Sequence, residues 1–296
     1  MPSNKVYLLA TATAFFWGTN FVLASTVLTD LSPLWAAALR FLLGAGLMLA
    51  IAMRQGQDLL GLARRHAAVY LFLGLIGIAG FNLLFFQAMK TTSADNGALI
   101  MATNPLLTTL LAALLIGERA SRRQLLALPV ALAGVAVVVS HGSLTRLMNL
   151  QLAEGDLLML AANLTWAAFN VGSRRLMPTT SPVGNTALMM AAGAAILTAA
   201  AVAGGGALAL PGLHAVLALA IMAVAGTVLA YLFWGLAIRQ LGAGRTSLFL
   251  NLVPVFAMLV GGLMGSLPTP AQIAGGLLVL AGVMTAMLPT RRPAMA

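Results

Sequence analysis

The chain consists almost entirely of apolar blocks, most of them about as long as a helix that crosses a bilayer. The blocks fall at 6–28, 34–53, 67–89, 96–116, 124–140, 155–174, 183–204, 213–238, 246–265 and 270–288. Crossing the hydrocarbon core takes about 20 apolar residues at a rise of about 1.5 Å each. Backbone facing lipid must satisfy its own N–H and C=O groups, and a continuous helix does so. The connections are mostly too short to fold alone. The expected fold class is therefore all-α: an integral membrane bundle of ten transmembrane helices. Composition agrees, because only 7% of the 296 residues are charged, against about 25% in soluble globular chains. The first block opens on Lys5 and contains Ala10-Thr11-Ala12, which faintly suggests a cleavable leader. Its hydrophobic run continues through Phe15, Phe16 and Trp17, so an uncleaved first span is expected.

A formal charge of +10 in a soluble protein would suggest nucleic acid. Here the basic residues sit in short loops between apolar blocks, so they report topology and no nucleic-acid partner is expected. With the N-terminus in the cytoplasm, the inner loops and ends carry Lys5, Arg54, Arg64, Arg65, Arg119, Arg122, Arg123, Arg174, Arg175, Arg239, Arg245, Arg291 and Arg292, or 13 of the 16 basic residues. Lys90 and Arg146 fall outside and Arg40 lies within the second block. Four of the six acids, Asp30, Asp95, Glu154 and Asp156, fall outside. The positive-inside rule thus places both termini in the cytoplasm, which requires an even number of spans.

Landmarks recur at a fixed distance. Ser32-Pro33 matches Ser181-Pro182, Trp17 matches Trp166, Lys90 matches Arg239 and Pro105 matches Pro254, all 149 residues apart. Near the end the offset slips to 148, linking Gln124 to Gln272 and Gly134 to Gly282. The sequence reads as two five-helix repeats over 5–142 and 154–290, dividing the chain into 1–142 and 143–296. Five spans per repeat send the second copy in from the opposite side. Inverted repeats point to a transporter with its site near the midplane, where the repeats meet. Each Ser-Pro pair supplies a capping hydroxyl followed by a proline at the first helical position.

Enzyme constellations are missing. No paired-His metal spacing, phosphate loop, dinucleotide fingerprint or Ser/His/Asp set can be assembled, and there is no Cys. No metal site, no cofactor and no enzymatic activity are expected. Gly74-x-x-Gly77-x-x-Gly80, Gly204-Gly205-Gly206 and Gly261-Gly262 read as close helix packing or flexible ends. Polar and aromatic residues spaced three or four apart share helical faces within the blocks. These are Thr13, Trp17 and Asn20; Asn82 and Phe86, with Gln87 beside them; Asn104 and Thr108; Asn163, Trp166 and Asn170; Thr227, Tyr231 and Trp234; and Ser247, Asn251 and Pro254. Amides fit poorly against lipid, so these faces should point inward. A polar-aromatic cavity and simple interhelical hydrogen bonding both satisfy that requirement; six such faces together favour the cavity. Pro105 and Pro254 interrupt the fourth and ninth blocks and are candidate hinges. Arg40, the one basic residue well inside a block, could snorkel, pair with an acid or meet a substrate carboxylate. Lys90 and Arg239 suit helix C-termini.

Trp17-Gly18-Thr19-Asn20, Ser32-Pro33, Arg40, and Asn104-Pro105 followed by Gly117-Glu118 together resemble the drug/metabolite transporter superfamily. Within it the chain looks most like the EamA family and the YddG amino-acid exporters. The resemblance covers the whole chain and implies export of small metabolites, aromatic and other neutral amino acids above all, across a bacterial inner membrane through a central cavity. The residues expected to line it are Trp17, Asn20, Asn82, Phe86, Gln87, Asn104, Asn163, Trp166, Tyr231, Trp234 and Asn251. The expected partners are the small-molecule substrate and the lipid bilayer, and a monomer is the expected working unit. Export of drugs or toxic cations and flipping of lipid-linked intermediates are the alternatives. The halves are unequal: Gly265-Ser266-Leu267 stands where Glu118 would repeat, and Met189 where Arg40 would.

Overall fold

The computed structural model describes residues 4–92, 94–151, 153–204 and 208–287. Gly205, Gly206, Arg291, Arg292 and the end of the last predicted span lie outside the described residues, as does the side chain of Asp95. The described residues form ten long helical stretches: α1 Asn4–Leu28, α2 Pro33–Arg54, α3 Leu59–Ala88, α4 Asn96–Ile116, α5 Arg122–Val139, α6 Glu154–Leu176, α7 Pro182–Ala203, α8 Leu213–Leu241, α9 Ala243–Leu263 and α10 Pro270–Met287. Eight are long and apolar enough to cross a membrane, and the apolar part of α10, Pro270–Ala286, is 17 residues long. The polar ends of α6 suit a helix that reaches both surfaces. Glu154 and Asp156 occupy its first turn and Arg174 and Arg175 its last, each sign facing the favourable end of the helix dipole.

Local sequence explains the starts. Ser32 Oγ accepts from Trp35 N at 3.4 Å and Ser181 Oγ from Gly184 N at 3.3 Å, each ahead of a proline in the first turn. α5 and α10 begin with the same reciprocal cap. In α5, Gln124 N donates to Ser121 Oγ at 3.2 Å while Ser121 N donates to Gln124 Oε1 at 2.8 Å; Thr269 and Gln272 repeat this at 3.2 and 2.9 Å. α3 opens at Leu59, where Asp58 Oδ1 accepts from Gly61 N at 2.7 Å, and kinks at His66, whose backbone is non-helical. The apolar block expected from 67 begins directly after that kink.

Packing crosses between the two halves of the chain. α2 lies on α7 and α5 on α10, while α1 packs against α8 and α9, and α6 against α3 and α4. The α5–α10 contact is close enough to need glycine. A Cβ on Gly134 would sit 2.6 Å from Val279 N, and one on Gly282 would sit 2.8 Å from Ala131 N. Small residues permit this approach where lipid supplies no hydrophobic drive between helices. Large apolar side chains face outward instead: Leu8, Phe21, Leu114, Leu157 and Leu263 are 59–89% exposed. A soluble protein rarely leaves apolar surface on this scale bare.

Candidate functional site

Four predicted residues from three helices meet at the centre of the bundle. The Trp17 ring of α1 lies 5.3 Å from Trp166 of α6, 5.0 Å from Trp234 and 6.1 Å from Tyr231, both of α8. Trp166 lies 5.8 Å from Tyr231, and three of these four contacts are edge-to-face, the geometry ring quadrupoles favour. Phe81 and Phe169 extend the cluster from Trp166, at 5.3 and 5.0 Å, and Phe41 extends it from Tyr231 at 5.6 Å.

Two helices passing this cluster break their α-helical winding in matched places. α3 runs as π-helix over Leu75–Gly80 and α8 over Val224–Leu229, 149 residues apart. Such wide turns are frequent at functional sites. Here they bring two backbone carbonyls into use by the rings: Gly226 O accepts from Trp17 Nε1 at 3.0 Å, and Gly77 O from the Tyr231 hydroxyl at 3.1 Å. The 149-residue shift carries Gly77 onto Gly226, Trp17 onto Trp166, Asn20 onto Phe169 and Asn82 onto Tyr231. Close contacts obey the match. A Cβ on Gly226 would meet Asn20 Nδ2 at 2.0 Å, and one on Gly77 would meet the Phe169 ring at 2.1 Å. The hydrogen bonds do not. Trp166 Nε1 is buried without a partner, and the carbonyl matching Trp17's acceptor is held by Tyr231.

The remaining predicted residues divide into groups. Asn82 is 3% exposed; its Nδ2 donates to Ile78 O at 2.7 Å and its Oδ1 faces Arg40 Nη2 at 3.5 Å. Asn20 Nδ2 is buried without a partner. Asn104 and Asn163 are fully buried in an interhelical network. Asn104 Nδ2 donates to Asn163 Oδ1 at 2.6 Å, and Asn163 Nδ2 donates to Ile100 O at 2.6 Å. Asn170 links this network to the rings: its Nδ2 donates to Thr108 Oγ1 at 3.3 Å and its Oδ1 accepts from Trp234 Nε1 at 2.9 Å. In this state Asn104 and Asn163 therefore join α4 to α6, with their side-chain nitrogens already committed. Asn251 is 1% exposed with neither amide atom partnered. Phe86 meets Phe85 edge-to-face at 5.5 Å, and Gln87 is exposed. Pro105 follows a break in α4 at Thr103, and Pro254 follows a 3₁₀ stretch over Leu248–Asn251. Both mark local departures from α-helix, as a missing N–H requires.

Tyr231 also borders a narrow cleft between α6, α7 and α8, lined by Phe169, Met177, Asn185, Met189 and Arg239. Its volume is about 30 Å³, room for a water or two and too small for a metabolite. Among the described residues no group of three or more His, Cys, Asp or Glu side chains could hold a metal. Phe41, Phe81, Phe169 and the two glycine carbonyls were not singled out as site residues from sequence. The signal for Gly77 and Gly226 was present, because they share the offset of Trp17 and Trp166.

Lipid-length helices, outward apolar side chains and a sealed central cluster define a multi-pass membrane protein. The chain belongs to the EamA-like transporter family, whose model matches residues 4–140 and again 153–288. It is 36% identical over 295 residues to the "Uncharacterized transporter YyaM" of Bacillus subtilis, covering 99% of this chain and 97% of that protein. It is 28% identical to a "Probable amino-acid metabolite efflux pump" of Salmonella typhimurium, covering 95% and 94%. A crystal structure of a protein at 22% identity superposes with a TM-score of 0.81 over 96% of both chains and supports the fold.

Proposed function

We propose that the protein exports neutral amino acids, aromatic ones foremost, across a bacterial inner membrane by alternating access, without altering them chemically. Ten spans in two inverted five-helix repeats, with both termini in the cytoplasm, provide the frame. The observation that carries this reading is the unequal use of matched parts. Trp17 is latched to the π turn of α8, while Trp166, its counterpart, is released from the π turn of α3. An inverted repeat has two such arrangements, and exchanging them turns the central cavity from one face to the other. The cleft at the end bearing Arg239 is too small for a metabolite, which supports a reading in which that end is closed.

The residues proposed to line the cavity support this substrate class. Trp17, Trp166, Tyr231 and Trp234 offer apolar and stacking surface, and Asn20, Asn82 and Asn251 offer donors and acceptors for a zwitterion's ends. The efflux-pump name of the Salmonella relative points the same way. Pro105 and Pro254 are the hinges in this scheme. The test is counterflow of L-tryptophan or L-phenylalanine in proteoliposomes holding the full chain, with Trp17→Ala, Trp166→Ala and Asn82→Ala made singly. Each should reduce transport at least tenfold; full transport in all three removes these residues from the cavity.

A further inference from the structure

Arg40 is the chemical odd one out at the centre of the bundle. It is the eighth residue of α2, with its Nε buried and unpartnered. No carboxylate among the described residues pairs with it, and its hydrogen bond to Asn82 Oδ1 is long, at 3.5 Å. Its guanidinium carbon lies 4.8 Å from the centre of the Phe41 ring, and Phe41 in turn touches Tyr231. A membrane protein retains an intramembrane cation at substantial cost, and nearly always supplies a partner. A surface-seeking side chain would expose its head; this one keeps Nε buried within the protein.

Arg40 Nε and Trp166 Nε1 are both buried donors without an acceptor. Asn82 has its amide nitrogen tied to Ile78 O, which turns its oxygen toward Arg40. Trp166 lies across from Phe81. The Tyr231 hydroxyl proton is spent on Gly77 O. Unmet donors, and a positive charge with no carboxylate partner among the described residues, call for an anion rather than a second cation. A planar guanidinium matches a carboxylate in both charge and shape. The aromatic wall beside it calls for an apolar group on the same ligand.

We infer that Arg40, positioned by Asn82, is the receptor for the substrate's carboxylate, so that the cargo is an apolar carboxylic acid or amino acid and a bare amine is refused. This rests on the export reading above and gives that site its specificity. It also gives a role to the break in symmetry at Met189, which takes the matching place in α7 and lines the closed cleft. One carboxylate per transported molecule needs one arginine, not two.

The test uses the full chain in proteoliposomes, with L-phenylalanine counterflow competed by 3-phenylpropionate, which lacks the amine, and by phenethylamine, which lacks the carboxylate. Binding of the same three compounds is read by intrinsic tryptophan fluorescence. Wild type should favour both carboxylates over phenethylamine by at least tenfold. Arg40→Gln should erase that preference, and Arg40→Lys should restore part of it. Asn82→Asp supplies an internal carboxylate; it should block carboxylate binding while keeping the helical circular dichroism of wild type, so a folding defect cannot imitate the result. Retention of the carboxylate preference in Arg40→Gln overturns the inference and leaves the export reading standing. Carboxylate binding that depends on Arg40 with no amino-acid counterflow supports the inference and overturns the export reading. A wild-type preference for phenethylamine overturns both.

Discussion

The two halves of this transporter use corresponding parts for different work, and the π turns show it most clearly. In α8 the Gly226 carbonyl receives Trp17, whereas in α3 the Gly77 carbonyl receives Tyr231 and leaves Trp166 idle. Backbone winding and close contacts follow the duplication; the hydrogen bonds do not. A duplicated fold thus supplies two equivalent seats, and a single chain fills them unequally in any one state. That inequality is what an alternating machine needs, since two identical halves in identical states would have no face to open.

The largest effect that could break this comparison comes from the glycines. A Cβ at Gly77 would overlap the Phe169 ring and one at Gly226 the Asn20 amide. Gly77→Ala and Gly226→Ala should each abolish counterflow and destabilise the protein by about 1–3 kcal/mol from overpacking. Gly77→Ala should be the worse, because a ring yields less than the end of an amide. Melting temperature and counterflow check both, and wild-type behaviour in either removes that close approach from the account.

Next comes the cap formed by Glu118, the acid without a counterpart. Its Oε2 accepts from Ala243 N at 3.2 Å and its Oε1 from Gly244 N at 3.0 Å, at the start of α9. A carboxylate at a helix N-terminus supplies the missing acceptors and meets the dipole. Glu118→Ala should lower stability by roughly 0.5–2 kcal/mol. Ser266→Ala, in the exposed corner that takes the equivalent place in the second half, should change it by less than about 0.5 kcal/mol. Equal effects in a chemical-denaturation assay would mean that the halves are capped alike.

The smallest expected stability effect is the sharpest discriminator. Trp17→Phe removes a donor that is in use and should cost about 1 kcal/mol. Trp166→Phe removes an idle donor and carries only the packing cost of a smaller buried ring, which Trp17→Phe shares, so it should be the milder of the two by about 1 kcal/mol. Both should slow transport if, as proposed, each donor is used in one of the two states. Tyr231→Phe should free Gly77 for Trp166 and shift the equilibrium between the states; limited proteolysis of the cytoplasmic loops with and without substrate would register that shift.

Much of this was legible in sequence, for physical reasons. Hydropathy places the helices because lipid enforces it, and the Ser-Pro pairs and Gln124 with Gln272 mark helix starts because caps are local. The ring cluster was legible because Trp17, Trp166, Tyr231 and Trp234 lie on spaced helical faces, with Trp17 and Trp166 near the middle of their blocks. Asn104 and Asn163 match the same pattern, yet they donate to each other's helices. Spacing cannot distinguish an amide that faces a cavity from one that joins two helices. The π turns were hidden because an i→i+5 carbonyl leaves no periodic trace, and Arg40's isolation depends on where distant acids lie after folding.

The most direct measurement is the indole N–H exchange of Trp17 and Trp166 by ¹⁵N NMR, assigned with the single Phe variants, in the absence of substrate and under conditions that drive the opposite-facing state. Reciprocal protection is predicted: Trp17 protected and Trp166 exchanging in the state described here, with the roles reversed in the other. Protection of both indoles together, or of Trp17 alone in both states, would contradict the exchange of latches on which the account stands.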